Sequence, residues 1–202
     1  MSKHSKPSRT THSNVANRVR IIGGAWRSRV IEFPDSAGLR PTPNRVRETL
    51  FNWLGQTLHG LHCLDLFAGS GALGFEAGSR GATRVVMVEN SRPVFQSLQV
   101  NKERLGSSSC DLVVADADTF LHRNRERYDV VFLDPPFALD ILPNLLNNVR
   151  PHVAPGGKIY VECGGQLSSV VEKSGAGQWV LDRQGKAGVV HFGLISIAQG
   201  AP

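Results

Sequence analysis

Apolar residues form short, nearly continuous runs along the C-terminal two thirds of the chain. From residue 62 these runs alternate with segments in which apolar residues recur at helical spacing. Strands that are apolar on both sides belong to a sheet covered on both faces, and such sheets are mostly parallel. The pattern predicts an α/β fold with a mostly parallel central sheet, helices on both faces and a closing antiparallel pair (QWVLDRQGK, GVVHFGLISI). The predicted parallel strands are HCLDLFA, RVVMVE, DLVVA, YDVVFLD and GKIYVEC.

The N-terminal part of the chain follows a different pattern. Residues 1–17 have almost no large apolar side chain, which predicts a disordered basic arm. Residues 18–34 hold two short apolar runs around a pair of glycines and predict a β-hairpin. Residues 44–58 have apolar side chains at helical spacing, and Asn44 is a suitable N-cap for that helix. The predicted units are the arm (1–17), an extension of hairpin and helix (18–60) and the α/β domain (61–202).

Charge is unevenly distributed along the sequence. The net charge is +6, but residues 1–50 contain ten Lys or Arg against three acids, and the remainder contains thirteen against fourteen. A basic segment of this kind predicts a polyanionic partner such as a nucleic acid, although a merely solvated tail has the same composition. No apolar run is long enough to span a membrane, and the N-terminus lacks the apolar core of a secretory signal. We therefore expect a cytoplasmic protein.

The three cysteines, Cys63, Cys110 and Cys163, are far apart in the sequence. Two of them fall in apolar strands, which indicates buried, reduced thiols rather than a disulfide. His59 and His62 next to Cys63 resemble a metal-binding spacing, but no second ligand cluster completes it. We expect no metal site.

Ligands of open parallel sheets bind at the carboxyl ends of the strands, so these ends are the candidate site. The first strand runs into Gly69-x-Gly71-x-x-Gly74, a turn that lets a ligand approach the backbone and the N–H groups of a helix N-terminus. A tight strand-to-helix turn without a ligand explains the same glycines. Glu89 ends the second strand, where an acid can accept hydrogen bonds from a ribose diol.

Two further carboxylates narrow the choice of cofactor. Asp116 follows the third strand, where it either meets an adenine amino group or caps the next helix. Asp65 lies four residues before the glycine turn. A pyrophosphate would be repelled there, whereas S-adenosylmethionine carries an ammonium, a sulfonium and no phosphate. Of the two cofactors that suit such a turn, a dinucleotide and S-adenosylmethionine, Asp65 favours the second.

The fourth strand ends in Asp134-Pro135-Pro136-Phe137. The prolines fix the backbone, so the Pro135 carbonyl is held in one direction beside a carboxylate that only accepts hydrogen bonds. Two fixed acceptors suit an exocyclic –NH2 group of a base, and Phe137 can stack on that base once it leaves its helix. A structural turn with a core phenylalanine is the alternative.

These motifs together resemble a known family. The segments RIIGGAWRSR, GLRPTPNRVRETLFNWL, LDLFAGSGALGFEA, VVFLDPPF and IYVE, within residues 18–163, are similar to the RsmD-type methyltransferases. That family has a Rossmann-like fold and uses S-adenosylmethionine to methylate guanine N2 in 16S ribosomal RNA of the small subunit. Asn44 departs from the family, in which Asp is common at this position.

The resemblance implies roles for individual residues. The cofactor would be held by Asp65, Phe67, Ala68, Gly69, Ser70, Gly71, Gly74, Glu89, Asp116 and Ala117. The target base would meet the catalytic residues Asp134, Pro135, Pro136 and Phe137. Arg40, Thr42, Arg45 and Arg47 resemble a family element that lies over the cofactor or RNA entrance. Together with Arg20, Arg27 and Arg29 of the basic extension, they are the candidate RNA contacts. The implied partner is 16S ribosomal RNA or the assembling small subunit, and we expect a monomer.

Three other functions fit part of this sequence. A DNA or protein-amide methyltransferase would use the same turn at Asp134 but has less use for the basic extension. A nicotinamide-dependent oxidoreductase would bind a dinucleotide and has no use for that turn. A non-catalytic RNA-binding module would bind RNA without turnover.

Overall fold

The computed structural model describes residues 17–36, 39–136, 141–175 and 177–198. Its strands are β1 (Asn17–Arg20), β2 (Val30–Phe33), β3 (His62–Asp65), β4 (Arg84–Glu89), β5 (Cys110–Val114), β6 (Tyr128–Leu133), β7 (Val153–Cys163), β8 (Trp179–Ala187) and β9 (Val190–Ile197). Its α-helices are α1 (Asn44–Trp53), α2 (Ala72–Ser79), α3 (Arg92–Leu105), α4 (Ala117–Arg123), α5 (Leu142–Val149) and α6 (Leu167–Lys173).

Seven strands form the central sheet in the order β5-β4-β3-β6-β7-β9-β8. The first five are parallel to one another, and β9 is antiparallel to both β7 and β8. Leu64 pairs with Val86 on one side and with Val131 on the other, so the apolar strands identified in the sequence are the central ones. The predicted fold class, including the closing antiparallel pair, is confirmed.

Alternate residues of the strands supply two separate cores. Phe132 and Tyr160 point to the face covered by α1, α2 and the N-terminal hairpin, where Phe51 of α1 lies 6.1 Å from Phe132 between ring centroids. Val131 and Leu133 point to the opposite face, where they pack with side chains of α4 and α5. Burial on both faces explains why these strands are apolar throughout rather than alternating.

The hairpin prediction is confirmed, and buried residues of the hairpin pack in the same core as residues of the central sheet. Strands β1 and β2 pair antiparallel, with Asn17 opposite Phe33. The predicted arm of residues 1–17 lies outside the described residues except for Asn17, which already belongs to β1.

All three cysteines are buried free thiols. Among the helices of the described residues, none combines the length and apolar character needed to cross a membrane.

Two predictions for α1 need correction, and one further helix was not predicted. Pro43, not Asn44, occupies the N-cap position of α1, where no side chain makes a capping hydrogen bond, and Asn44 is the first helical residue. The helix ends at Trp53 rather than continuing to Leu58, because Gly55 and Gln56 take left-handed backbone conformations with φ of +91° and +65°. Helix α6 was not predicted, because it is only seven residues long and has few apolar side chains.

Candidate active site

Four carboxylates converge at the carboxyl ends of adjacent parallel strands. Asp65 ends β3, Glu89 ends β4, Asp134 follows β6, and Glu162 lies near the end of β7. Asp65 and Glu162 are nearly inaccessible, at 2% and 3% exposure, while Glu89 and Asp134 are partly exposed. A site with this charge favours cations and hydrogen-bond donors over anionic ligands.

The glycine turn between β3 and α2 is closed by two of these carboxylates. Oδ2 of Asp65 accepts a hydrogen bond from the Gly74 N–H at 2.9 Å, and Oε2 of Glu89 accepts one from the Gly69 N–H at 2.9 Å. The hydroxyl of Ser70 accepts from the Ala72 N–H at 3.3 Å. The expectation that these N–H groups are free for a ligand is therefore wrong at these three positions. The turn is poorly suited to cradling a pyrophosphate.

The glycines themselves are explained by the protein backbone and its packing. Gly69 and Gly71 have φ of +49° and +80°, a conformation that other residues rarely adopt. A Cβ atom at Gly71 would lie 2.6 Å from the ring of Phe75, and one at Gly74 would lie 2.8 Å from Met87. The glycine pattern alone is thus no evidence for a cofactor, and that evidence has to come from Asp65 and Glu89.

Asp65 is a buried carboxyl group whose ionised form is costly. Burial raises the pKa of Asp65 to about 7, against an ordinary value of 3.8, although the N–H groups of Gly74 and Phe67 lower it. The negative charge of Glu89 contributes to this increase in the pKa of Asp65. A positively charged group bound nearby would offset the cost of burying this carboxylate.

Glu89 and Asp116 differ in what remains available to a ligand. Glu89 also accepts from the Ser91 N–H at 2.7 Å, but each carboxylate oxygen has a second lone pair, and the side chain is partly exposed. Asp116 is the N-cap of α4 and accepts from the Thr119 N–H at 2.8 Å. This supports the capping interpretation of Asp116, and its contact with a nucleoside stays a prediction. Phe67 and Ala117 are half-buried, and Ala68 is buried.

Asp134 is the residue directly after β6, at the carboxyl end of that strand. Its Oδ2 accepts a hydrogen bond from the Thr42 hydroxyl at 3.2 Å. Pro135 is buried and Pro136 is exposed, so the turn passes from the core to the surface within two residues. Phe137 lies outside the described residues.

Glu162 is a member of the site that the sequence interpretation missed. Leu133 pairs with Val161, so Asp134 and Glu162 follow neighbouring positions of parallel strands. The Tyr160 hydroxyl donates to Oε1 of Glu162 at 2.8 Å. Burial and the charge of Glu162 raise the pKa of Asp134 well above its ordinary value, while the Thr42 hydroxyl lowers it. The signal was an acid at a strand end beside Asp134, within the IYVE segment.

The basic extension divides into exposed and buried arginines. Arg20, Arg27, Arg40 and Arg45 are exposed. Arg29 is also exposed, but its guanidinium donates to the carbonyls of Arg104 and Leu105, where it binds the C-terminus of α3.

The burial of Arg47 and Thr42 contradicts the prediction that these residues contact RNA. Arg47 has no exposed surface, and Thr42 is only 5% exposed, so neither presents a surface to RNA. The Arg47 guanidinium donates to Glu76, Asn44 and the carbonyls of Thr42 and Arg20. Glu76, which the sequence interpretation also missed, is the buried counter-ion that makes this position possible.

The fold and this carboxylate cluster define a Rossmann-like methyltransferase, and comparison with known proteins agrees. A putative methyltransferase, YhhF, from Escherichia coli has a solved structure that superimposes with a TM-score of 0.80. The two chains are 38% identical, and the match covers 90% of this chain and 99% of that one. The family model described as "Conserved hypothetical protein 95" matches residues 19–195. The chain therefore belongs to this family, the RsmD family of methyltransferases.

Curated relatives agree with this membership. The chain is 41% identical over 184 residues to Ribosomal RNA small subunit methyltransferase D of Escherichia coli K12, covering 89% of this chain and 90% of that protein. It is 38% identical over 187 residues to the protein of the same name from Haemophilus influenzae, covering 90% and 95% respectively. The resemblance stated from the sequence motifs is confirmed.

Proposed function

We propose that this protein transfers a methyl group from S-adenosylmethionine to the exocyclic N2 of a guanine in small-subunit ribosomal RNA. The observation that carries the proposal is the position of Asp134, a carboxylate at a rigid proline turn beside the Asp65–Glu89 end of the sheet. The relatives named for small-subunit ribosomal RNA methylation supply the substrate class. We infer a cytoplasmic monomer that acts on 16S RNA or on the assembling subunit.

The residues around the glycine turn fit S-adenosylmethionine better than a dinucleotide. The N–H groups of Gly69 and Gly74 already bind protein carboxylates, so a pyrophosphate would meet negative charge where it needs donors. The buried Asp65 carboxylate complements an ammonium or sulfonium group. Glu89 retains lone pairs for the hydroxyls of a ribose. When bound, S-adenosylmethionine supplies a methyl group carried on a positively charged sulfur. The sulfur is the leaving group and keeps the electron pair of the broken bond.

Asp134 and the Pro135 carbonyl orient the acceptor amine. Guanine presents two adjacent donors, N1–H and N2–H2, and a carboxylate can accept from both. Adenine presents a donor beside an acceptor, which an amide would match better. Hydrogen bonds from the amine to these oxygens allow N2 to direct its electron pair at the methyl carbon. The rate advantage comes mostly from this positioning.

Asp134 is also suited to receive the proton that N2 releases when its bond to the methyl carbon forms. Burial and the neighbouring Glu162 raise the pKa of Asp134, so its carboxylate is a stronger base than an exposed one. Arg20, Arg27, Arg40 and Arg45 are available for RNA phosphates, because they are exposed and lie in the basic extension.

The experiment that tests the proposal is methyl transfer from labelled S-adenosylmethionine onto small-subunit particles, naked 16S RNA and DNA, all prepared from cells lacking the protein. We expect label in the ribosomal RNA, recovered after nucleoside digestion as N2-methylguanosine. Label in DNA, in protein or in a methylated adenosine would contradict the proposal. RNA binding without any transfer would support the non-catalytic alternative.

A further inference from the structure

We infer that Thr42 is a positioning residue for Asp134 and that Arg47 holds Thr42 in place. This inference rests on the proposed function, because it assumes that Asp134 orients the target amine. It assigns to two residues of the N-terminal extension a role inside the active site, in place of the contact with RNA that the family resemblance implied for them.

The side-chain hydroxyl and the backbone carbonyl of Thr42 each form one hydrogen bond that bears on the site. Its hydroxyl donates to Oδ2 of Asp134 at 3.2 Å, and its carbonyl accepts from Nε of Arg47 at 3.2 Å. Thr42 is 5% exposed and lies two residues before α1, next to Pro43, whose ring fixes the local backbone. The hydroxyl is therefore presented to Asp134 from a restrained position.

Arg47 is in turn fixed by groups from three segments of the chain. Its Nη1 donates to Oε2 of Glu76 at 3.1 Å, and its Nη2 donates to the Arg20 carbonyl at 2.8 Å and to Oδ1 of Asn44 at 2.6 Å. A planar guanidinium with this many partners has little freedom to move. Glu76 belongs to α2, which begins at the glycine turn. The contacts from Glu76 to Arg47, from Arg47 to Thr42 and from Thr42 to Asp134 therefore connect the proposed cofactor side of the site to Asp134.

The Thr42 hydroxyl acts on both the geometry and the ionisation of Asp134. Within the described residues, the ionisable groups near Asp134 are Glu162 and Tyr160 on β7 and Asp65 on β3, and the Tyr160 hydroxyl donates to Oε1 of Glu162. Both acids raise the pKa of Asp134, and the Thr42 hydrogen bond lowers it. The Thr42 hydroxyl also lowers the pKa of Glu162. Thr42 thus keeps one oxygen in a fixed direction and favours the ionised form that accepts from guanine.

Single-turnover methylation of the native RNA by Thr42→Val and Thr42→Ser, measured from pH 5.5 to 9 at saturating cofactor, tests this role. Valine has the shape of threonine without the donor, and serine retains the donor. For Thr42→Val we expect a rate at neutral pH lower by roughly tenfold to a hundredfold, the scale for slightly misplacing a reacting group. The acid limb of its pH profile moves to higher pH, because the pKa of Asp134 rises when the donor is removed.

The controls separate positioning from packing. Thr42→Ser retains most of the wild-type rate and pH profile. Thr49→Val removes a hydroxyl of α1 that donates only to the Arg45 carbonyl, and we expect wild-type behaviour from it. Thr42→Ala also removes the donor and replaces the valine variant if that variant does not fold. Affinity for S-adenosylmethionine is unchanged in all four variants.

Three outcomes would overturn the inference. A Thr42→Val enzyme with the wild-type rate and pH profile removes Thr42 from the positioning of Asp134. A serine variant as slow as the valine variant shows that retaining the hydroxyl does not preserve the rate, so side-chain packing rather than the hydrogen bond would explain the effect. If the wild-type protein methylates no RNA, the proposed function itself fails, which is distinguishable from the first two outcomes.

Discussion

The guanidinium of Arg47 and the carboxylate of Glu76 form an ion pair, 3.1 Å from Nη1 to Oε2, in which neither side chain has any exposed surface. Glu76 also accepts from the backbone N–H groups of Ile22 and Gly23 and from Nε of Arg80. The N-terminal extension is thereby bonded to α2 of the sheet domain. Removing one partner of such a pair leaves an uncompensated buried charge.

We expect Glu76→Gln to lower the free energy of unfolding by about 3 kcal/mol or more, because Arg47 loses its buried counter-ion. Urea unfolding followed by far-UV circular dichroism and tryptophan fluorescence measures the change. The matched control is Glu126→Gln, which removes a carboxylate paired with Arg84 where the two side chains are 47% and 39% exposed. This control should cost less than about 1 kcal/mol. Equal effects of the two substitutions would mean that the buried pair is not a structural link.

Asp65→Asn tests the electrostatic cost of the buried carboxylate at the glycine turn. The pKa of Asp65 rises from 3.8 to about 7 on folding, so its contribution to stability is fully present below about pH 4 and is lost as the pH rises through 7. Asparagine retains an oxygen for the Gly74 N–H and has no charge to bury. Between pH 4 and pH 8, the stability of the variant relative to wild type should therefore increase by up to about 4 kcal/mol. A difference that is constant with pH would show that Asp65 ionises normally.

Glu89→Ala tests the carboxylate at the end of β4. We expect affinity for S-adenosylmethionine to fall by about 1.5–3 kcal/mol, the scale of a charge-assisted hydrogen bond. Calorimetry measures the affinity, and Glu103→Ala, an exposed acid on α3, is the control that should bind normally. Because Glu89 also binds the N–H groups of Gly69 and Ser91, thermal unfolding must accompany the titration. An unchanged affinity in a folded variant would remove Glu89 from the cofactor site.

Exposed arginines of the extension should contribute to RNA binding through phosphates. We expect a variant with Arg27, Arg40 and Arg45 replaced by glutamine to bind RNA more weakly. Its salt slope should be shallower by about one for each phosphate that the protein no longer neutralises. The matched control replaces Arg123, Arg125 and Arg127, three exposed arginines near the amino end of β6. A salt titration of the extension variant identical to that of wild type would mean that RNA does not use the extension.

Continuous apolar strands were predictable because burial on both faces leaves little room for polar residues. The order of the acids at the strand ends could likewise be read from the sequence, since each one follows a run of apolar residues. The RNA contact of Arg47 was predicted wrongly because its role was carried over from the family resemblance without regard to its position on the helix. Arg47 lies one helical turn before Leu50 and Phe51, on the buried side of α1, and that spacing was the available signal.

Tertiary contacts explain the remaining differences. The glycine turn indicated free N–H groups, but Asp65, at the end of the strand before the turn, and Glu89, at the end of the neighbouring strand β4, accept hydrogen bonds from those groups, which the glycine pattern does not reveal. Glu162 needed the pairing of β6 with β7 before its proximity to Asp134 was visible. Glu76 looks like an ordinary helical acid until the hairpin and α1 are packed against it.

The central claim is that Asp134 orients guanine N2 for methylation. Asp134→Ala removes both acceptor oxygens, and Asp134→Asn replaces one with a donor that opposes the donors of guanine. Both variants should bind S-adenosylmethionine nearly as well as wild type, because we propose that Asp134 contacts the target base and not the cofactor.

The most direct test is single-turnover methylation of the native RNA by wild type, Asp134→Ala and Asp134→Asn, with nucleoside analysis of the product. We predict N2-methylguanosine from wild type and a rate at least about a hundredfold lower from Asp134→Ala, the scale for removing one oriented polar group from a transition state. Asp134→Asn should also be slower than wild type. Wild-type rates from either variant, or a product methylated on adenine, would contradict the account.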